Sequence, residues 1–234
     1  MTRSRPPVLA HLEYEKHSAT LRELGLKQKF EYIHRKNMWG SPESVSGLGS
    51  TLAVTAALRR QLSDLCKRLR IRTMIDAPCG DFAWMSVAQL PVESYLGIDI
   101  VEFLVENNRR LYGREDITFQ AGDLTNIELP RCHLILCRDC LVHLSFENIR
   151  RVLSNFVGSA SQYLLSTTFP ENDLNVDIEN GDWRMLNLEK EPFDFPPPTL
   201  LINEECREVE GAYRDKSLGL WKLEDLKGLK FLTY

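Results

Sequence analysis

One stretch restricts the fold of this chain more than any other: Thr73-Met74-Ile75-Asp76-Ala77-Pro78-Cys79-Gly80-Asp81-Phe82-Ala83-Trp84. A short apolar run ends in an acid, a tight turn containing Gly80 follows, and the next residues can start a helix. Strand–loop–helix units of this kind bring backbone close to a nucleotide-type ligand, and a glycine lacks the side chain that would bar the approach. Tyr95-Leu96-Gly97-Ile98-Asp99 repeats the apolar run and its closing acid. An acid in that place can accept both hydroxyls of a ribose. Ile117-Thr118-Phe119-Gln120-Ala121-Gly122-Asp123 ends in a third acid. The plainer account is that Asp76, Asp99 and Asp123 only cap the helices that follow. Three acids closing three successive strand-like runs favour the ligand-facing account.

The rest of the chain alternates around this unit. Residues 1–12 read as loose and Leu21 to Arg35 as a surface helix. Met38 to Ser50, with three glycines and four serines, reads as a loop. Its backbone amides and hydroxyls, Ser46 and Gly47 among them, suit a carboxylate or phosphate, with Trp39 as an apolar lid. The alternative is a lead-in to the next helix with Ser50 as its N-cap. Thr51 to Leu69 carries one apolar stripe (Leu58, Leu62, Leu65, Leu69) and is expected to be helical. Val101 to Tyr112 is a second such helix, closed by Gly113 as a C′ residue. Ile117–Ala121 and His133–Cys137 are the third and fourth strands. Ser145 caps a helix that turns Ile149, Leu153 and Phe156 inward, and Tyr163–Thr168 is the fifth strand. Strands alternating with helices predict a mostly parallel sheet covered on both faces, with ligands beyond the carboxyl ends of its strands. Arg138 falls at that edge with the three acids. Residues 170–215 break the alternation; their prolines and aromatics suggest an ordered cover over a substrate. Ser217–Trp221 is expected as a sixth strand and Lys230–Tyr234 as a seventh. At 234 residues the chain reads as one α/β domain, residues 51–234, behind a helical lead-in and covering loop in residues 1–50.

Charge narrows the partners. A net charge of −4 argues against a nucleic-acid binder. The basic residues Arg59, Arg60, Lys67 and Arg68 have no interleaved aromatics for base stacking, so they read as a solvated helix face. No apolar run reaches the ~18–20 residues of a membrane span, and no apolar segment follows the first residues as it would in a secretion signal. The six cysteines do not suggest a disulfide framework, and together these features point to a cytoplasmic protein. Cys132, His133, Cys137 and Cys140 are the only cluster with metal-ligand character. Cys132 and His133 are neighbours on a strand and face opposite sides, so the four do not converge as a tetrahedral site requires. The Cys137–Cys140 pair ends a strand instead of opening a helix, where a thiolate would be favoured. Buried thiols are the better account.

His143 follows the fourth strand and precedes a helix, which places it at the rim of the expected pocket. There it could act as general base on an acceptor hydroxyl. Asp139, on the same segment, could do that work or orient His143. Against this stands a histidine simply packed on the sheet edge.

The three strand-ending acids and the Gly80 loop together resemble the class I S-adenosylmethionine-dependent methyltransferases, over roughly residues 39–168. In that family an acid and a glycine-rich loop follow the first strand, and acids end the second and third; here Pro78 and Phe82 stand where two more glycines are usual. The resemblance implies a Rossmann-like, seven-stranded, mostly parallel sheet with helices on both faces, the last strand antiparallel. It implies S-adenosylmethionine as cofactor and a methyl group moved to an oxygen or nitrogen of a small-molecule acceptor. It places Asp76 near the cofactor's amino group, with Gly80 and Pro78 in the loop beside it. Asp99 with Ile100 falls at the ribose, and Asp123 with Leu124 at the adenine. Two other classes remain open. A nicotinamide-dependent oxidoreductase would want the full G-x-G-x-x-G, which is absent. A non-catalytic partner protein that binds S-adenosylmethionine would need the same pocket and no acceptor site.

Overall fold

The structure, a computed structural model, describes residues 5–233. The expected looseness of residues 1–4, and Tyr234 as the end of a seventh strand, lie outside the described residues. Short apolar runs build the sheet: β1 (Thr73–Asp76), β2 (Ser94–Asp99), β3 (Ile117–Ala121), β4 (Leu134–Cys137), β5 (Tyr163–Thr168), β6 (Leu200–Asn203) and β7 (Ser217–Lys222). They lie in the order β3-β2-β1-β4-β5-β7-β6. β1 to β5 run parallel, with Ile75 beside Leu96 on one side and Ile135 on the other. β7 is antiparallel to β5 and to β6, with Ser166 beside Gly219. The fold is therefore the expected Rossmann-like, seven-stranded, mostly parallel sheet.

Alternation along each strand divides the core in two. Met74, Leu134 and Leu136 point to one face, where Leu58, Leu62 and Leu65 of helix α3 (Ala56–Leu69) cover them. Ile75, Ile135 and Cys137 point to the other, under Ile149, Val152, Leu153 and Phe156 of the helix Phe146–Gly158. Phe156, Ile135 and Leu62 are all fully buried. Each such side chain contributes about 1.5–3 kcal/mol relative to exposure. Ser145 caps the second of these helices as expected, accepting from Asn148 N at 3.4 Å.

Several expectations about local structure are corrected. The N-terminal region is two helices, α1 (Leu9–Arg22) and α2 (Leu26–Arg35). Helix therefore begins inside the stretch expected to be loose, because Tyr14 and Leu21 find a buried face with Ile33 and Met38. The helix expected from Thr51 starts only at Ala56, with Thr55 as N-cap; Ser50 instead ends a 3₁₀ turn, Leu48–Ser50. The helix expected from Val101 spans Glu102–Tyr112. Gly113 ends it without left-handed geometry (φ −61°); a Cβ there would collide with the carbonyl of Arg109, which is what keeps the position bare.

The expected sixth strand is the seventh in chain order. The true sixth, Leu200–Asn203, was hidden in a proline-rich segment and lies at the sheet edge, where proline before a strand is tolerated. Lys230–Leu232 forms a 3₁₀ turn and no strand, since β6 already pairs with the free side of β7. Phe193 and Phe195, which suggested a cover, are buried in the core against Phe146, Phe231 and Trp221.

Candidate active site

The carboxyl ends of β1, β2 and β4 open into a pocket with about 1020 Å³ of open space. Asp76, Pro78 and Gly80 line it from the loop after β1, and Asp99 and Ile100 from the end of β2. Asp123 and Leu124 enter after β3, and Arg138, Asp139 and His143 after β4. Trp39 and Ser46 close it from the N-terminal loop. Gly47 does not line this pocket; it faces a second one. Its neighbour Ser46 takes the inward position.

The loop after β1 is held tightly. Its Ala77–Pro78 bond is cis. Cys79 N donates to Ile98 O at 2.9 Å, and Gly80 N donates to Asp99 Oδ2 at 3.0 Å. Gly80 is left-handed (φ +54°), and a Cβ on it would run into Ser46 Oγ. Only glycine lets the N-terminal loop approach this closely. That loop is tied in turn by Asp81, whose carboxylate accepts from Ser44 Oγ at 2.7 Å and Val45 N at 3.0 Å. Asp81 N donates to Ser46 Oγ at 3.1 Å. Asp81 was passed over in the sequence; as a strand–loop acid it offered no separate signal.

Two buried carboxylates face the pocket. Burial pushes Asp76 up to about 7, against the opposing pull of the Tyr95 hydroxyl, which donates to it at 2.6 Å, and of Arg138. Burial also pushes Asp99 up to about 6, although Val101 N and Gly80 N both donate to it. Each group is thus held short of full ionisation by a site that is apolar around it, and a cation or hydroxyl donor would relieve that.

Arg138 runs under this floor. It donates to Glu204 Oε2 through Nε at 3.0 Å and Nη2 at 2.5 Å, and to Gly49 O at 2.8 Å. Its guanidinium lies 5.5 Å from the centre of the Trp84 ring. Burial would weaken its charge, but Glu204 and Asp139 raise its pKa above the usual arginine value. It couples β4, the edge strand β6 and the N-terminal loop.

Trp39, Ser46, Asp139 and His143 also line the second pocket, which has about 680 Å³ of open space. The two pockets meet at these residues. Trp39 stacks on His143 with ring centres 5.0 Å apart. His143 Nδ1 donates to the carbonyl of Asp182 at 2.8 Å, which leaves Nε2 with the lone pair. Burial lowers its pKa to about 4. For Asp139, burial acts to raise the pKa, but Lys216 at 2.6 Å and Arg138 at 3.4 Å outweigh it and hold the group at about 2. The two expectations for Asp139 therefore change. It is too acidic to take a proton readily, and the orienting bond to His143 comes from Asp182 instead.

The residues that seat His143 come from the insert. Arg184 donates to Leu141 O at 2.7 Å and Leu144 O at 2.6 Å, and Gly181 N donates to His143 O at 2.8 Å. Trp183, on the same segment, lines the second pocket with Phe169 and Tyr213. Leu26, Phe30 and His34 of α2 roof the first pocket. Sequence reasoning missed these residues; the helical spacing of Leu26, Phe30 and Ile33 was the only available signal. Among the described residues no group of three or more His, Cys, Asp or Glu side chains converges as a metal site would require, and all six cysteines are free.

No family model matches the sequence, and no curated protein matches it. Solved structures do. The N-methyltransferase NodS from Bradyrhizobium japonicum WM9 superposes on 73% of this chain and 96% of its own, at 12% identity and a TM-score of 0.54. Magnesium protoporphyrin IX methyltransferase (ChlM) from Synechocystis PCC 6803 covers 60% of this chain and 68% of its own, at 16% identity and a TM-score of 0.43. The methyltransferase domain of bacterial CtHen1 covers 49% of this chain at 13% identity and a TM-score of 0.45, and the match spans 66% of that domain. The NodS superposition and the strand order agree on the fold: this chain has the Rossmann-like, seven-stranded fold of the class I methyltransferases.

Proposed function

We propose that the chain binds S-adenosylmethionine in the first pocket and transfers its methyl group to an oxygen or nitrogen of a small molecule held in the second. One observation carries this reading: two pockets, one lined by strand-ending carboxylates and one by aromatics, meet at Trp39, Ser46, Asp139 and His143. The residues of the first pocket fit the cofactor. Gly80 lets the loop carrying Ser46 close against the loop after β1, Asp76 and Asp99 are buried carboxylates at the pocket wall whose charge a cation or hydroxyl donor would stabilise, and Leu124, Ile100 and Phe30 offer an apolar slot. When bound, S-adenosylmethionine supplies a methyl carbon already activated by its sulfonium. The protein's task is then mainly alignment and exclusion of water. Asp76 would take the ammonium, Asp99 the ribose hydroxyls and Asp123 the adenine amino group, with Trp39 shielding the transfer point. His143, neutral, would turn Nε2 toward the acceptor's O–H or N–H and receive a hydrogen bond or a proton there. Asp139 stays ionised and fixes Lys216.

Calorimetry with S-adenosylhomocysteine tests the cofactor site. Asp99→Ala should weaken binding by about 10- to 150-fold, from the ~1.5–3 kcal/mol of a charge-assisted hydrogen bond. Equal affinity in a folded Asp99→Ala protein would remove the ribose assignment. Formation of S-adenosylhomocysteine on an acceptor panel tests transfer itself. A protein that binds NAD in place of S-adenosylhomocysteine would be the oxidoreductase weighed above.

A further inference from the structure

The second pocket has a chemistry that the methyl-transfer reading alone does not specify. Its far side is walled by Phe169, Trp183 and Tyr213, which meet edge to face with ring centres 5.2–6.3 Å apart. Trp39 closes the near side. The charges beneath are unevenly matched. Arg138 is paired with Glu204 at 2.5 Å and Lys216 with Asp139 at 2.6 Å. Glu208 also lines the pocket, and among the described residues its carboxylate has no hydrogen-bond donor and no cation within ion-pair distance. Gly49 makes room for it: a Cβ on Gly49 would sit 3.3 Å from Glu208 Oε1, 3.5 Å from Lys216 Nζ and 3.7 Å from Arg138 Nη2. The backbone that presents Glu208 is unusual. Val209 and Glu210, which follow it, both have left-handed angles (φ 49° and 55°). For a β-branched residue this is a true outlier, and such strain gathers at functional positions.

We propose that the acceptor is an amine, held as its ammonium between the carboxylate of Glu208 and the aromatic wall at Trp183; the Tyr213 ring already has Arg5 over it, 5.6 Å from its centre. This rests on the methyl-transfer reading and narrows it from oxygen or nitrogen to nitrogen. The pocket's lysine, Lys216, is already neutralised by Asp139, and Arg138 of the first pocket by Glu204, so an anionic acceptor would find no free partner and would meet Glu208. A cation gains a charge-assisted bond to Glu208 and the attraction of the Trp183 ring.

The same residue answers a chemical need. An ammonium has no lone pair, so it must lose a proton before its nitrogen can form a bond. Burial raises the Glu208 pKa, with Asp139 and Glu204 adding to the rise and Lys216 and Arg138 opposing it. It is thus a readier proton acceptor than Asp139. The balance is complete: Glu208 takes the proton, the freed nitrogen lone pair forms the N–CH₃ bond, and the electron pair of the breaking S–CH₃ bond stays on sulfur. The proton leaves Glu208 to solvent. His143 Nε2, at the junction of the pockets, is left to accept an N–H hydrogen bond.

The test uses the full chain loaded with S-adenosylhomocysteine and three probes of one shape: phenethylamine, 2-phenylethanol and phenylacetate. Binding is read by calorimetry and by quenching of tryptophan fluorescence. The amine should bind at least about 10-fold more tightly than the alcohol, and phenylacetate more weakly than both. Glu208→Gln, nearly isosteric and at a partly exposed site, should erase the preference for the amine, and Glu208→Asp should restore part of it. No amine binding, equal binding of amine and alcohol, or an amine preference that persists in Glu208→Gln would each overturn the proposal. The loading step separates the two readings. Failure of S-adenosylhomocysteine to bind overturns the methyl-transfer reading, whereas loaded protein without an amine preference overturns only this one.

Discussion

Asp76 is a carboxylate whose burial works against its charge. Its pKa of about 7 means that the carboxyl group holds a proton part of the time near neutrality. A cationic ammonium placed beside it favours the ionised form, so cofactor binding should release a proton. Affinity should therefore rise as pH increases through about 7 and fall by up to about tenfold per unit below it. Calorimetry in phosphate and in Tris at one pH reads this directly, since released protons add each buffer's ionisation heat; identical apparent enthalpies would refute it. His143 shifts the other way. Its folded pKa of about 4 lies below the ordinary histidine value of about 6.5. The unfolded chain thus binds the extra proton first, and stability from this group is complete above about 6.5 and is lost as pH falls toward 4. In ¹⁵N NMR, Nε2 of His143 should keep its lone pair down to about pH 4. A midpoint near 6.5 would mean that the ring is not sealed by Trp39 and the Asp182 carbonyl. An imidazole this weakly basic suits a hydrogen-bond acceptor better than a base poised at neutrality.

At the scale of elements, the N-terminal loop and the loop after β1 act as one unit. Asp81 accepts from Ser44 and Val45, and its own amide donates to Ser46. Asp81→Ala removes two of these bonds without touching the pocket, because Asp81 does not line it. The loop at 41–50 should then exchange its amide hydrogens faster, and slowing on addition of S-adenosylhomocysteine should be weaker than in the unaltered protein. Cofactor affinity should fall by about 10-fold, as expected for losing a charge-assisted bond that orders a closing loop. Unchanged exchange in the variant would show that Arg138 and Glu43 hold the loop without help. Glu43 accepts from Leu52 N and Arg138 donates to Gly49 O, and these anchors stay in the variant together with the bond from the residue-81 amide to Ser46 Oγ.

At the scale of the molecule, Arg138 is the tie between the centre of the sheet and its β6 edge. It joins β4, β6 and the N-terminal loop through Glu204 and Gly49. Arg138→Met keeps most of the volume but leaves Glu204, which is 5% exposed, without its hydrogen-bonded partner, with only Lys216 Nζ near it at 3.8 Å. Breaking a buried pair in this way costs about 3–5 kcal/mol, and urea denaturation should show a loss of that order. The double variant with Glu204→Gln should recover part of it, since the buried charge is then gone. A single variant as stable as the unaltered protein would mean that water reaches Glu204. The N-terminal helices belong to this scale too. Arg5 pairs with Asp215, beside Lys216 of the second pocket, and Val8 to Ala10 form part of that pocket's wall. The first helix is thus a component of the site instead of a loose leader.

What the sequence determined by itself was whatever depends on neighbours in the chain. Short apolar runs ending in Asp76 and Asp99, with Gly80 between them and helices alternating with the strands, suffice to write a parallel sheet with a site at its carboxyl edge. An apolar run with its closing acid is a local property that each segment carries alone. The candidates Asp76, Asp99, Asp123, Arg138 and His143 could be named for that reason, and the structure brings all five to one pocket. Tertiary structure decided what depends on who packs against whom. β6 has no periodic signature of its own and is a strand only because β7 offers it an edge. Phe193 and Phe195 look like a cover in the sequence and prove to be core because Trp221 and Phe146 face them. The charge state of His143, the pairing of Asp139 with Lys216 and the solitary carboxylate of Glu208 depend on contacts between distant segments, such as Asp139 and Lys216, 77 residues apart. Electrostatics is a sum over neighbours in space, so no spacing along the chain could have shown it.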